Sequence, residues 1–204
     1  MWLLAILSLL IICTVASASP ILYTFTGNGT GTLDGTIFQQ ADFEVVGLGD
    51  TDFVFYNNTF GLWESPFLAG DATFDIDGVG AGVFNGTAAV FNNLSSEFLA
   101  FRRLGPSSDP NLLTIFASGV GLDTWDHQTN FGPLTQYPSF GGGFSGGLDT
   151  SMGFLQFTSS GPVTFTATIA PIPVPASAWL FGSALGLLGW IRRKGKLFHA
   201  KTPQ

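Results

Sequence analysis

Gly143-Phe144-Ser145-Gly146-Gly147 has the G-x-S-x-G spacing of a nucleophile elbow. In that arrangement a strained strand-to-helix turn exposes the serine hydroxyl, and an acid and a histidine follow downstream. Here more glycine follows, and the only later histidine is His199, beyond a long apolar run. A serine hydrolase is therefore not expected. His127, in Trp125-Asp126-His127, is the only imidazole between residues 19 and 170. With no nucleophile placed beside it by sequence, it reads as a surface loop histidine. Asp75-x-Asp77-Gly78 and Asp50-x-Asp52 hint at calcium, because hard cations want clustered oxygens. Asp71, Asp75 and Asp77 alternate along one strand, however, so they share its solvent face with neighbours about 7 Å apart. A solubilising acidic face is the preferred reading and calcium the alternative. Tyr56, Trp63, Trp125 and Tyr137 lie in or near expected loops, where aromatic rings could bind sugars, although phenylalanine dominates and mostly fills a core. No pattern points to a catalytic set or a cofactor.

The elements that must carry these residues are strands. Between residues 19 and 170 there are 23 glycines and 19 phenylalanines, and apolar residues alternate with polar ones. Val163-Thr-Phe-Thr-Ala-Thr-Ile169 alternates strictly, as does Asp71-Ala-Thr-Phe-Asp-Ile-Asp77. Ile21–Thr26, Asp42–Val45 and Asp52–Phe55 are similar. Each reads as a half-buried strand with one wet face. Turn signals stand between them: Gly27-Asn28-Gly29, Asp34-Gly35, Gly49-Asp50, Asn57-Asn58, Asp77-Gly78, Asn85-Gly86 and Gly141-Gly142-Gly143. Leu94 to Leu104 fits a helix or, equally, a strand over Glu97 to Arg102. Asp126 to Thr150 has little periodicity and reads as a long loop. The expected fold class is all-β, an antiparallel β-sandwich of jelly-roll type over residues 19–170, plus one C-terminal transmembrane helix.

Charge is distributed in blocks. All 14 acidic residues lie between Asp34 and Asp149, with only Arg102 and Arg103 against them, so the body carries −12. A surface this acidic repels phosphate backbones, which excludes nucleic acid as a partner. It also keeps a glycine-rich, apolar body in solution. The remaining five basic residues crowd the stretch from Arg192 to Lys201. The one cysteine, Cys13, leaves no intrachain disulfide or zinc site to stabilise the body.

Two uncharged runs read as addresses. Trp2 to Ile12 is apolar except for Ser8, and Ala16-Ser17-Ala18 precedes Ser19. That is the layout of a secretory signal peptide over residues 1–18, cut between Ala18 and Ser19. Val174 to Ile191 holds eighteen uncharged residues, which as a helix would reach about 27 Å, enough for a thin bilayer. Arg192, Arg193 and Lys194 follow at once and would hold that end in the cytoplasm, leaving 192–204 as a basic tail. Pro171, Pro173 and Pro175 favour an extended, accessible segment ahead of the run.

Pro173-Val174-Pro175, the apolar run, and Arg192-Arg193-Lys194 together resemble the PEP-CTERM protein-sorting signal, over residues 171–195. Val174 stands where that family's motif has glutamate, which resembles its VPLP-type members. The resemblance implies a Gram-negative bacterium that makes exopolysaccharide. It implies an exosortase-type membrane cysteine transpeptidase as partner, cutting near Pro173 to Pro175. The expectation is an exported, non-enzymatic protein, held in the inner membrane as an intermediate and then placed on the cell surface or in the exopolysaccharide matrix. A tethered carbohydrate- or calcium-binding module is the alternative.

Overall fold

The computed structural model describes residues 19–104, 111–139 and 146–170. The molecule divides into two compact units, Met1–Pro171 and Ile172–Gln204, and every described strand belongs to the first. The expected signal peptide, sorting segment, transmembrane helix and basic tail lie outside the described residues. Among the described residues no helix is long and apolar enough to cross a membrane.

The fold is all-β, and every strand pairing is antiparallel. Its strands are β1 (Pro20–Leu33), β2 (Thr36–Asp50), β3 (Phe55–Asn57), β4 (Leu62–Pro66), β5 (Ala72–Ile76), β6 (Gly80–Val83) and β7 (Ala88–Asn93). Then come β8 (Phe98–Arg103), β9 (Asn111–Phe116), β10 (Phe131–Gln136), β11 (Gly147–Thr150), β12 (Gly153–Ser160) and β13 (Val163–Ile169). One sheet runs β10-β13-β1-β2-β5-β6, with β12 also on β1 and β11 on β12; the other runs β3-β4-β7-β8-β9.

β1 organises the first sheet. Its residues Ile21–Thr26 pair with β13 and Gly29–Leu33 with β12, while β2 pairs along its whole length. Asp34 and Gly35 make the β1–β2 turn with φ of 49° and 79°, the positive pair that a two-residue hairpin turn demands. A bridge between Phe84 and Thr150, flanked by Ser151 N–H to Val83 O (2.9 Å) and Asn85 N–H to Asp149 O (2.8 Å), joins the end of β6 to β11. The second half of β1 therefore sits in a ring, β1-β2-β5-β6-β11-β12, while its first half faces the other sheet. The core is arranged accordingly: Ile21, Tyr23, Phe25, Phe165 and Ala167 oppose Val90, Leu99, Phe101, Leu113 and Ile115. Inside the ring lie Phe38, Phe43, Phe74, Phe84 and Phe157.

Several expectations are corrected. Gly27-Asn28-Gly29 is not a turn but the middle of β1. A Cβ on Gly27 would stand 3.1 Å from the Phe43 ring, on Gly29 2.9 Å from Phe157, and on Gly31 2.7 Å from Phe38. The glycines are inward-facing clearances for aromatic rings, so the turn-like composition serves packing. Asp52–Phe55 is not one strand: Thr51–Phe53 is a 3₁₀ turn capped by Asp50, whose carboxylate accepts from Asp52 N–H. Leu94–Leu104 resolves in favour of strand, as β8. The expected loop over 126–150 contains β10 and β11, recruited by β13 and β12 despite weak periodicity.

Candidate functional site

Of the residues singled out by type, His127 ends furthest from its expected place. It is fully buried rather than on a surface loop. Its chain segment, between β9 and β10, crosses the gap between the sheets, and the ring lies on Trp125, centroids 4.0 Å apart and 13° from parallel. His127 Nδ1 is 3.0 Å from the Tyr23 hydroxyl on β1, and Nε2 is 2.7 Å from Asn92 Oδ1 on β7. Asn92 Nδ2 donates to Leu122 O (2.7 Å) and Trp125 O (3.0 Å).

These contacts fix the proton positions. Two carbonyls can only accept, so the Asn92 amide presents Oδ1 to the imidazole, and Nε2 must carry the hydrogen. Nδ1 is then bare and accepts from the Tyr23 hydroxyl. Burial pushes the imidazole down to about 3, and the ring is neutral across the ordinary pH range. Burial likewise raises the Tyr23 phenol above its ordinary range, and the neighbouring Ser65 hydroxyl only partly offsets this. Every group in the relay is sealed from solvent, so it cannot meet a substrate. It joins the two sheets and the crossing segment.

The G-x-S-x-G motif is not an elbow. Gly143, Phe144 and Ser145 lie outside the described residues, Gly146 N–H donates to Asn111 O (2.8 Å), and Gly147 opens a strand, not a helix. The acidic residues are where alternation put them. Asp75 and Asp77 are exposed, and with Asp42, Glu44, Thr26 and Thr164 they line an open depression of about 570 Å³ on the outer face of the first sheet. Glu44 and Asp75 are directly opposed across β2 and β5. Among the described residues no three carboxylate, imidazole or thiol groups come close enough to hold one metal ion.

The aromatics divide. Trp125 is buried, with only 4% exposed, in correction of its expected loop-surface place, because Tyr23, Phe131 and Phe165 enclose it. Tyr137 is 71% exposed. Tyr56 and Trp63 face each other across β3 and β4, ring centroids 5.2 Å apart and inclined at 53°, at an edge of the second sheet. Both basic residues of the body are engaged. Arg102 pairs with buried Glu64 (2.7 Å) and lies 4.5 Å over the Phe91 ring, while Asn57 Nδ2 donates to the other Glu64 oxygen (3.0 Å). Arg103 reaches Asp149 at 3.4 Å on the surface.

Pro173, Val174, Pro175, Arg192, Arg193, Lys194 and Ala18 lie outside the described residues. Ser19 is the first described residue; its N–H donates to Thr51 Oγ1 (3.2 Å) and its carbonyl accepts from Thr51 N–H (3.1 Å). Sequence reasoning missed the Tyr23–His127–Asn92 relay. One signal existed: Tyr23 shares the inward parity of Ile21 and Phe25, and a buried phenol needs a partner. Nothing local could name that partner, 104 residues away. No family model, curated protein or solved structure matches the chain.

Proposed function

We propose that this is an exported, non-enzymatic protein of the cell surface or exopolysaccharide matrix of a Gram-negative bacterium. An exosortase-type transpeptidase delivers it through its C-terminal signal. The observation that carries this reading is the order of Pro173-Val174-Pro175, eighteen uncharged residues to Ile191, and then Arg192-Arg193-Lys194. A proline-rich segment, a membrane-length run and a basic stop are what a protease acting at the membrane surface needs. The body supports a structural role: its one described imidazole is committed to internal hydrogen bonds, and Asp42, Glu44, Asp75 and Asp77 share an open outer face of the first sheet. From β1 to β9 the chain alternates between the two sheets in the units β1–β2, β3–β4, β5–β6 and β7–β9, which favours the jelly-roll-type winding.

Intact masses of the protein from the membrane and from the extracellular fraction test the proposal. The expected result is a released form that begins at Ser19 and lacks everything from about residue 176 onward. A membrane form alone, still carrying Arg192 to Gln204, overturns it and makes the tail a plain anchor.

A second reading rests on the pair formed by exposed Tyr56 and half-buried Trp63. Two aromatic faces at a sheet edge can hold a sugar ring, so the surface protein would also bind matrix polysaccharide there. Loss of polysaccharide retention in Tyr56→Ala, with stability unchanged, supports it; unchanged retention removes it.

A further inference from the structure

The segment between β9 and β10, residues 117–130, closes one side of the gap between the sheets. Leu122 and Trp125 enter the core, and Trp125 Nε1 donates to Thr129 O (3.0 Å). At its ends Ala117 N–H donates to Glu97 O (2.9 Å), and Asn130 Oδ1 accepts from Ile169 N–H (2.7 Å). Gln128 Nε2 reaches Thr51 O (2.9 Å). Its centre is fastened by His127 and by the two carbonyls that Asn92 holds. His127 has φ of 63°, a left-handed backbone that is unfavourable for a non-glycine residue.

We infer that residues 117–130 form an acid-releasable strap, seated only while His127 is the neutral Nε2–H imidazole and expelled when a proton from solvent is taken up at Nδ1. Hydrogen bonding alone would tolerate that proton, since the phenol oxygen could accept from Nδ1–H once its own hydrogen turns away. The charge is what the site cannot hold. The groups around the ring are Tyr23 on β1, Ser65 on β4, Asn92 on β7 and Trp125 on the strap, all neutral. Asp126, next in the chain, accepts from Gln128 N–H (3.0 Å). Glu64 is on the opposite face of β4 and is paired with Arg102. A buried cation without a counterion is costly, and opening the strap to water relieves it.

Linkage sets the sign. An imidazole that is normal when exposed, at 6.5, and lowered to about 3 when seated favours the open form as pH falls. The seat is at full strength above 6.5 and weakens by up to about tenfold per pH unit down to about 3. Hydrogen exchange read by mass spectrometry on the full chain, corrected for intrinsic rates, tests this between pH 7 and 4. Peptides within 117–130 should show an opening constant that rises about two-hundred-fold on acidification, while β7 and β8 stay protected. In His127→Gln the same peptides should change by less than about threefold. A pH-independent strap in the native protein overturns the inference, and so does loss of protection by β7 and β8 in step with the strap. Should His127→Gln not fold, the side-chain ¹⁵N shifts of His127 in the native chain decide: protonation of the ring in step with opening of the strap upholds the inference, and a ring protonated at Nδ1 at pH 7, or one that stays neutral while the strap opens, overturns it.

Discussion

Gly47→Ala should destabilise the body although Gly47 is an ordinary strand position. A Cβ added there lands on the Phe67 ring, falling on Cε2 and Cζ and 2.9 Å from Cδ2, where unstrained contacts begin near 3.4 Å. The ring cannot retreat easily. Phe67 is 1% exposed and is held between Tyr23 (5.5 Å) and Phe101 (6.0 Å). Overpacking of this kind costs about 1–3 kcal/mol, and the alanine recovers about 0.5 kcal/mol of backbone entropy, so a net loss of about 1.5 kcal/mol is expected. Phe67→Leu alone leaves a cavity worth about 1.5 kcal/mol. Leucine lacks the Cε2 and Cζ atoms that the new methyl strikes. The double variant should therefore be little worse than Phe67→Leu, with a favourable coupling of about 1.5 kcal/mol between the two sites. Urea unfolding followed by the fluorescence of Trp63 and Trp125 measures all four proteins. Additive losses within about 0.5 kcal/mol, or a neutral Gly47→Ala, would refute the idea that glycine on β2 exists to admit the Phe67 ring.

Gly31→Ala is expected to be worse, because its Cβ meets the Gln156 carbonyl on β12 as well as Phe38; exchange of the β1–β12 amides should rise before global unfolding. Glu64→Ala strands Arg102 over Phe91 and removes the acceptor of Asn57, which should cost about 3 kcal/mol in the same urea assay, whereas Asp149→Ala at the exposed pair should cost less than about 0.5 kcal/mol. Tyr23→Phe removes the donor to Nδ1 while keeping the ring. A loss of about 1–2 kcal/mol at pH 7 is expected, and a stabilised Tyr23→Phe protein would contradict the relay.

The strands that alternate cleanly were legible. Asp71–Asp77 and Val163–Ile169 put every second residue in the core, so β5 and β13 follow from period alone. The same rule placed Asp75 and Asp77 outward, and the outer face bears that out. It failed where composition and period disagree. Gly27-Asn28-Gly29 carries turn chemistry, yet the Phe43 and Phe157 rings from other strands need the space those glycines leave. The crossing segment misled for the opposite reason: Trp125-Asp126-His127 is polar enough for a surface, but Asn92 and Tyr23 supply the partners that make burial affordable.

The chain order by itself determined the all-β class, the acidic body and the charge asymmetry between body and tail, because period, turn residues and net charge depend on near neighbours. Only the tertiary structure decided which sheet each hairpin joins, that β1, β2, β5, β6, β11 and β12 close a ring, and that Tyr23, Asn92 and His127 share protons. Those outcomes depend on contacts between residues tens of positions apart. Their free energy comes from desolvation and shape matching that no local window contains.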